Sequence, residues 1–248
     1  MSTTLPSWVQ NFFDGFYAQC DLQWPEEHQE YVSQGLMRHL NLQPGHKIFD
    51  QCCGEGYLAQ AMAKKGCAVW GVDQSERYIQ TAQELTPHGR FIAGDAGVYA
   101  PEEIMDASVN WHTSLGYGGV EGAYLLLRRL TQSLKSQGFF IVDVRNVVLY
   151  KQKPLVSYET IATKQWGQVV MKRSGEWKGN VLWQNWSASN DSGVVWSQND
   201  AACFHPSLQD MDGFFEQIGA QRVNILGNFD DPFDIDCHER MIVVGQKL

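Results

Sequence analysis

Two rhythms of apolar and polar positions divide the chain. Between residues 47 and 145, short apolar runs alternate with stretches of helical period. Strands are predicted over 47–50, 68–73, 90–93, 107–111 and 138–145, and helices over 57–65, 75–85 and 121–136. Apolar strands separated by helices require a parallel sheet covered on both faces, so this stretch reads as α/β, a Rossmann-like doubly wound sheet. Upstream, the aromatic stretch 8–17 has helical character, and Trp24-Pro25-Glu26-Glu27 opens a helix running to about Leu40, with proline early and acids in the first turn.

From 150 to 203 the pattern changes to short alternating runs, 158–163, 168–172, 181–187 and 193–197, separated by turns such as Asn190-Asp191-Ser192-Gly193. This predicts an antiparallel β insert. It carries five of the nine tryptophans, Trp166, Trp177, Trp183, Trp186 and Trp196, which serve either as the insert's own core or as the inner face of a lid over a substrate. A helix over 207–218 and strands over 221–226 and 240–245 then close the sheet with an antiparallel hairpin. With 248 residues and 44% hydrophobic content, one large core is expected. The organisation is therefore a single domain: an N-terminal helical cover (1–45), a core (46–149 and 204–248) and the inserted lid (150–203).

The formal net charge of -9 opposes binding to polyanions, so neither nucleic acid nor an anionic membrane is expected as a partner. Met1-Ser2-Thr3-Thr4-Leu5-Pro6 has no basic region, and no apolar run approaches the roughly 20 residues that span a bilayer, so a cytoplasmic location is expected. The six cysteines form no C-x-x-C pair; reduced thiols and no metal site are expected.

The candidate chemistry begins where the first strand meets a glycine turn, Ile48-Phe49-Asp50-Gln51-Cys52-Cys53-Gly54-Glu55-Gly56, with a second apolar strand ending on Asp73 about 20 residues later, as a nucleotide-binding βαβ unit requires. Gly54-Glu55-Gly56-Tyr57-Leu58-Ala59 satisfies the dinucleotide fingerprint. Asp50 and Glu55, however, place two carboxylates where a pyrophosphate would sit, and like charges oppose it. A ligand with an adenosine end and a sulfonium and ammonium in place of phosphates suits the same backbone. S-adenosylmethionine is such a ligand, with Asp73 on the ribose hydroxyls. A nicotinamide-dependent dehydrogenase is the weaker alternative.

These residues resemble a family. Asp50-Gln51-Cys52-Cys53-Gly54-Glu55-Gly56 is similar to the D-L-x-C-G-x-G motif of class I S-adenosylmethionine-dependent methyltransferases, and Gly71-Val72-Asp73-Gln74-Ser75 to their G-V-D-x-S motif. Gly94-Asp95-Ala96, Thr113-Ser114-Leu115-Gly116-Tyr117 and Glu239-Arg240-Met241-Ile242-Val243-Val244 resemble the family's third-strand acid, its T-S-F-G-Y loop and its closing strand. The resemblance implies cofactor contacts from Asp50, Cys52, Gly54, Gly56, Asp73, Gln74 and Trp111, and an adenine edge met by Asp95 and the Ala96 amide. His112 and Tyr57-Leu58 depart from the common pattern and bear on the acceptor.

Ligands in open α/β sheets lie beyond the carboxyl ends of the strands. His112, just past the fourth strand, is the expected catalytic base, with a near-neutral pKa suited to deprotonating an acceptor. Tyr17 is expected to close over the cofactor. Tyr117, Arg145, Asn146 and His205 are the expected acceptor contacts: Arg145 either grips a carboxylate with two prongs or pairs with Asp143 or Asp106, and His205 either contacts substrate or turns the chain. No N-P-P-Y or D-P-P-Y loop occurs, which disfavours amide and nucleobase substrates. The expected function is in-line methyl transfer to nitrogen or oxygen of a small molecule, in a monomer or homodimer. Another group transfer or cyclisation using S-adenosylmethionine, and a non-catalytic cofactor-binding protein, are the competing readings.

Overall fold

The computed structural model describes residues 5–20 and 23–248; residues 1–4, part of the stretch read above for a leader, lie outside the described residues. The aromatic N-terminal stretch forms α1 (Ser7–Gln10), which winds on through a π-turn (Asn11–Phe16) and a 3₁₀ turn (Tyr17–Gln19). α2 (Glu26–His39) follows, with Glu26 and Glu27 in its first turn and Arg38 and His39 in its last, complementing its dipole.

The core then alternates β1 (Lys47–Gln51), α3 (Tyr57–Lys64), β2 (Ala68–Asp73), α4 (Glu76–Leu85), β3 (Arg90–Ala93), β4 (Met105–Asn110), α5 (Gly119–Gln132) and β5 (Leu134–Arg145). After α6 (Val147–Tyr150) comes the insert, β6 (Val156–Thr163), β7 (Gly167–Lys178), β8 (Val181–Asn190) and β9 (Gly193–Phe204). The chain returns through α7 (Leu208–Gln217), whose N-cap Ser207 and Asp210 form a reciprocal capping box, to β10 (Ala220–Leu226) and β11 (Arg240–Lys247).

Seven strands build one sheet in the order β10-β11-β5-β4-β1-β2-β3. β1 to β5 pair in parallel, while β11 runs antiparallel to both β5 and β10. The order reverses between β1 and β4, so a crevice opens at the carboxyl ends of those strands. Apolar residues cover both faces: Val32, Leu36, Leu58 and Met62 from α2 and α3 pack on one, and Leu126, Leu127, Leu130, Phe214 and Phe215 from α5 and α7 on the other. The insert is a separate antiparallel sheet, β6-β7-β8-β9. Among the described residues no helix is long and apolar enough to cross a membrane.

Several boundaries differ from the sequence reading, the insert strands running on to Lys178 in β7, Asn190 in β8 and Phe204 in β9, and two differences have local reasons. The helix predicted to 136 ends at Gln132 because Leu134, which fits its apolar period, instead pairs with Met105 in the sheet. α6 was not anticipated; the Asn146 side chain caps it by accepting from Val148 N–H at 3.1 Å.

The N-terminal stretch packs against the insert. Phe12 lies 4.7 Å from Trp186 and 5.9 Å from Trp196 between ring centroids, and Phe16 lies 5.1 Å from Trp196 and 6.2 Å from Trp166. Most of the insert's tryptophans thus form a core shared with the N-terminus, whereas Trp183 is exposed.

Gly56 caps α3 with φ at +81°, and a Cβ there would sit 2.7 Å from the Ala82 Cβ and 2.9 Å from its Cα. Its glycine is dictated by the close approach of α3 and α4. Gly56→Ala combines a left-handed alanine with overpacking and should destabilise the protein by about 2–5 kcal/mol, read as a lowered denaturation midpoint. A midpoint within error of wild type would contradict this packing.

Candidate active site

The crevice holds two adjoining cavities. The first, of about 200 Å³, lies over the ends of β1 and β2 and is walled by Asp50, Cys52, Gly54, Asp73, Gln74, Ala96 and Trp111, among others. The second, of about 680 Å³, lies between the end of β5, the insert and the N-terminal stretch. Phe13, Tyr17, His112 and Tyr117 line both and form the waist between them.

In the first cavity the glycine turn is set by its neighbours. Gly54 has φ at +53°, and no atom lies within 4 Å of where its Cβ would be, so its open side faces free space. Its N–H donates to Asp73 Oδ2 at 2.9 Å, while Asp73 Oδ1 accepts from Ser75 N–H at 3.0 Å. These bonds fix the Asp73 carboxylate at the end of β2. Burial, opposed by these backbone hydrogen bonds, nevertheless raises its pKa.

Asp50 is more extreme. It is buried, its Oδ2 has no hydrogen-bond partner among the described residues, and burial together with the Asp73 charge pushes its pKa well above the carboxylate range. A desolvated carboxylate on a cavity wall favours a cationic group opposite it. Glu55 is partly offset by Arg77, 3.6 Å away.

The waist is fixed by an ion pair. The Asp143 carboxylate, fully buried in β5, accepts from Arg240 Nε at 2.7 Å and from its second nitrogen, and also from the His112 N–H at 3.0 Å. The Asp143 carbonyl accepts from Thr113 N–H at 2.9 Å, and Arg240 donates to Thr113 Oγ1 at 2.9 Å. His112 and Thr113 are thereby held in consecutive left-handed conformations, φ +60° and +69°, which non-glycine residues rarely adopt. This turn presents the His112 ring to both cavities, 4.9 Å from Trp24.

Several sequence expectations change. The near-neutral pKa expected of His112 is not found: desolvation by the surrounding protein, only partly offset by Asp143, lowers it to about 4. Arg145 pairs with neither Asp143 nor Asp106; Arg240 takes the first, and Lys135 the second at 2.6 Å. Asn146 lines neither cavity, because its amide donates to the Ile235 and His238 carbonyls at 2.7 and 2.8 Å and its oxygen caps α6. Asp95 is also absent from the walls: its carboxylate accepts from Gly97 N–H at 2.8 Å in its own turn, leaving Ala96 at the cavity. Gly56 serves helix packing and does not border the cavity. Tyr17, Tyr117, Arg145 and His205 all reach the second cavity.

Sequence reasoning missed Arg240, Tyr78 and Trp24. Tyr78 borders the first cavity and donates its hydroxyl to the Phe13 carbonyl at 3.1 Å, tying the N-terminal stretch to α4. For Arg240 the signal was an acid, Asp143, inside the apolar run of β5, since a charge there requires a partner.

Residues 48–138 match the family described as the methyltransferase domain. Over 66 residues the chain is 30% identical to an uncharacterized methyltransferase of Synechocystis sp., and over 128 residues it is 25% identical to the trans-aconitate 2-methyltransferase of Paracidovorax citrulli. These stretches cover 27% and 48% of this chain, and about a third and about half of the two relatives, 31% and 46% of their lengths. In fold, the chain superposes on an amino pentose methyltransferase from Micromonospora echinaspora, solved with S-adenosylmethionine bound, with a TM-score of 0.67 at 16% identity over 95% of this chain and 96% of the other. Residues 48–138 thus match the methyltransferase-domain family, and the chain as a whole shares the Rossmann-like fold of these solved methyltransferases.

Proposed function

We propose that the chain is an S-adenosylmethionine-dependent methyltransferase acting on a small molecule, with the cofactor in the first cavity and the acceptor in the second. The observation that carries this reading is the Asp50 carboxylate, buried and unpartnered at Oδ2 on the wall of a cavity that opens at the waist onto a larger aromatic one. A cation is what Asp50 lacks, and the open side of Gly54 leaves room beside it. Asp50 would hold an ammonium, Asp73 would accept from ribose hydroxyls, and Ala96 would border the base. The amino pentose and trans-aconitate enzymes are relatives whose names give small acceptors, which supports the same class here.

When bound, the cofactor supplies an electrophilic methyl group on a sulfonium. The chain's part is to position and to exclude water, and well-oriented reactants gain on the order of 7–11 kcal/mol from positioning alone. Tyr17, Phe13 and Tyr117 close the waist, and the insert with the N-terminal stretch walls the acceptor cavity as a lid. With its pKa near 4, His112 is neutral at physiological pH and orients an acceptor nitrogen or oxygen through a hydrogen bond.

Calorimetry with S-adenosylhomocysteine tests the cofactor. Because a protonated Asp50 cannot attract a cation, and burial with the Asp73 charge raises its pKa, affinity should rise with pH above the ordinary carboxylate range. Asp50→Asn should flatten that rise and weaken binding by about tenfold or more. Tighter binding of NAD than of S-adenosylhomocysteine would overturn the assignment.

His112→Ala should lower kcat by roughly 10- to 100-fold, the loss of one orienting hydrogen bond, with cofactor affinity unchanged and the pH profile between 5 and 8 of the same shape as wild type. Turnover is read as S-adenosylhomocysteine release. A mutant that loses an acid limb centred near the ordinary histidine value would restore the base role, and equal rates would make His112 a passive wall residue.

A further inference from the structure

Four cationic side chains line the second cavity, and three have a carboxylate partner. Arg173 pairs with Glu159 at 2.6 Å, Lys153 with Glu239 at 2.8 Å, and Arg240 with Asp143. Arg145 has none among the described residues. It sits opposite Arg240 in the β5–β11 ladder, and of the two residues Asp143 answers only Arg240. The Arg145 guanidinium rests over the Tyr150 ring, 4.7 Å from its centroid.

The other face of the same cluster is His205. It is 3% exposed, lines the cavity, and neither ring nitrogen has a hydrogen-bond partner among the described residues. Tyr150 and Trp177 pack edge-on to it at 5.0 and 5.4 Å between centroids. Burial and the Arg145 charge lower its pKa to about 3, so the ring is neutral and offers one donor and one acceptor. A buried imidazole with both nitrogens unmet is unfavourable unless a ligand completes it, and it lies beside a cation that also lacks its counter-charge.

We propose that the second cavity takes an acceptor bearing an oxyanion, a carboxylate or a phosphate, gripped by the Arg145 guanidinium, next to a hydroxyl read by the His205 imidazole. The aromatic walls then take a flat or apolar body between them. This assignment rests on the reading of that cavity as the acceptor site. Arg145 and His205 are specificity-determining residues at the far side of the waist from Asp50.

The test uses the whole protein saturated with S-adenosylhomocysteine, whose own affinity is measured first. Its failure to bind would overturn the methyltransferase reading, whereas the probes below judge the anion site. Benzoate, phenyl phosphate, 4-hydroxybenzoate and, as neutral control, benzamide are titrated by calorimetry. Wild type should prefer benzoate or phenyl phosphate to benzamide by about tenfold or more, and which anion wins identifies the source. Arg145→Met should erase that preference without changing the affinity for S-adenosylhomocysteine or the denaturation midpoint. His205→Phe, of similar size, should remove only the added affinity of 4-hydroxybenzoate over benzoate. Equal affinity for anions and benzamide in wild type, absence of binding by any probe, or a preference that survives Arg145→Met overturns the proposal.

Discussion

The Asp143–Arg240 pair is the interaction on which the candidate site turns. It links neighbouring strands, β5 and β11, to the turn that leaves β4, and both oxygens of the Asp143 carboxylate accept hydrogen bonds from the chain. A buried carboxylate is tolerated only when its partners are complete, and here the guanidinium and the His112 N–H complete it. In return, His112 and Thr113 are held at positive φ, a conformation that costs roughly 1–2 kcal/mol per residue and persists because the surroundings over-determine it. The waist between the two cavities is therefore built by strain held against an ion pair, and its position follows from the sheet.

Around that waist the molecule sorts charge and aromatic surface. The strand ends of β1 and β2 contribute two carboxylates, Asp50 buried and Asp73 half-buried, with raised pKa values. The end of β5 contributes Arg145, and the insert contributes rings. Phe12 and Phe16 complete the aromatic core of the insert, so the N-terminal stretch and the insert pack as one body. Tyr78, bonded to the Phe13 carbonyl, and Ser75, bonded to Asp14, tie that body to α4 beside the first cavity. A negative cavity and an aromatic, cationic one thus meet at Tyr17, His112 and Tyr117.

The parts of this arrangement legible in the sequence were those written in local pattern. β2 and β3 run as the apolar periodicity predicts, Gly54 lies in the turn that the fingerprint marks, and Asp50 and Asp73 stand at strand ends on the cavity wall. What was not legible depends on contacts distant in sequence. Arg240 meets Asp143 across 97 residues, and nothing local distinguishes it from a strand-edge cation. Asn146 and Asp95 occupy the right strand ends, but their side chains are captured elsewhere: Asn146 caps α6 and donates to the distant Ile235 and His238 carbonyls, and Asp95 closes its own turn. The pKa of His112 depends on how much protein surrounds it, which spacing along the chain does not encode.

A crystal structure with S-adenosylhomocysteine bound is the most direct measurement of the central claim, that two cavities of opposite character meet where methyl transfer occurs. In that structure the ligand's ammonium should lie within hydrogen-bond distance of Asp50, its ribose at Asp73, and its sulfur at the waist facing the cavity of Arg145 and His205. A ligand bound with its sulfur turned away from His112, or with Asp50 left unpartnered, would contradict it.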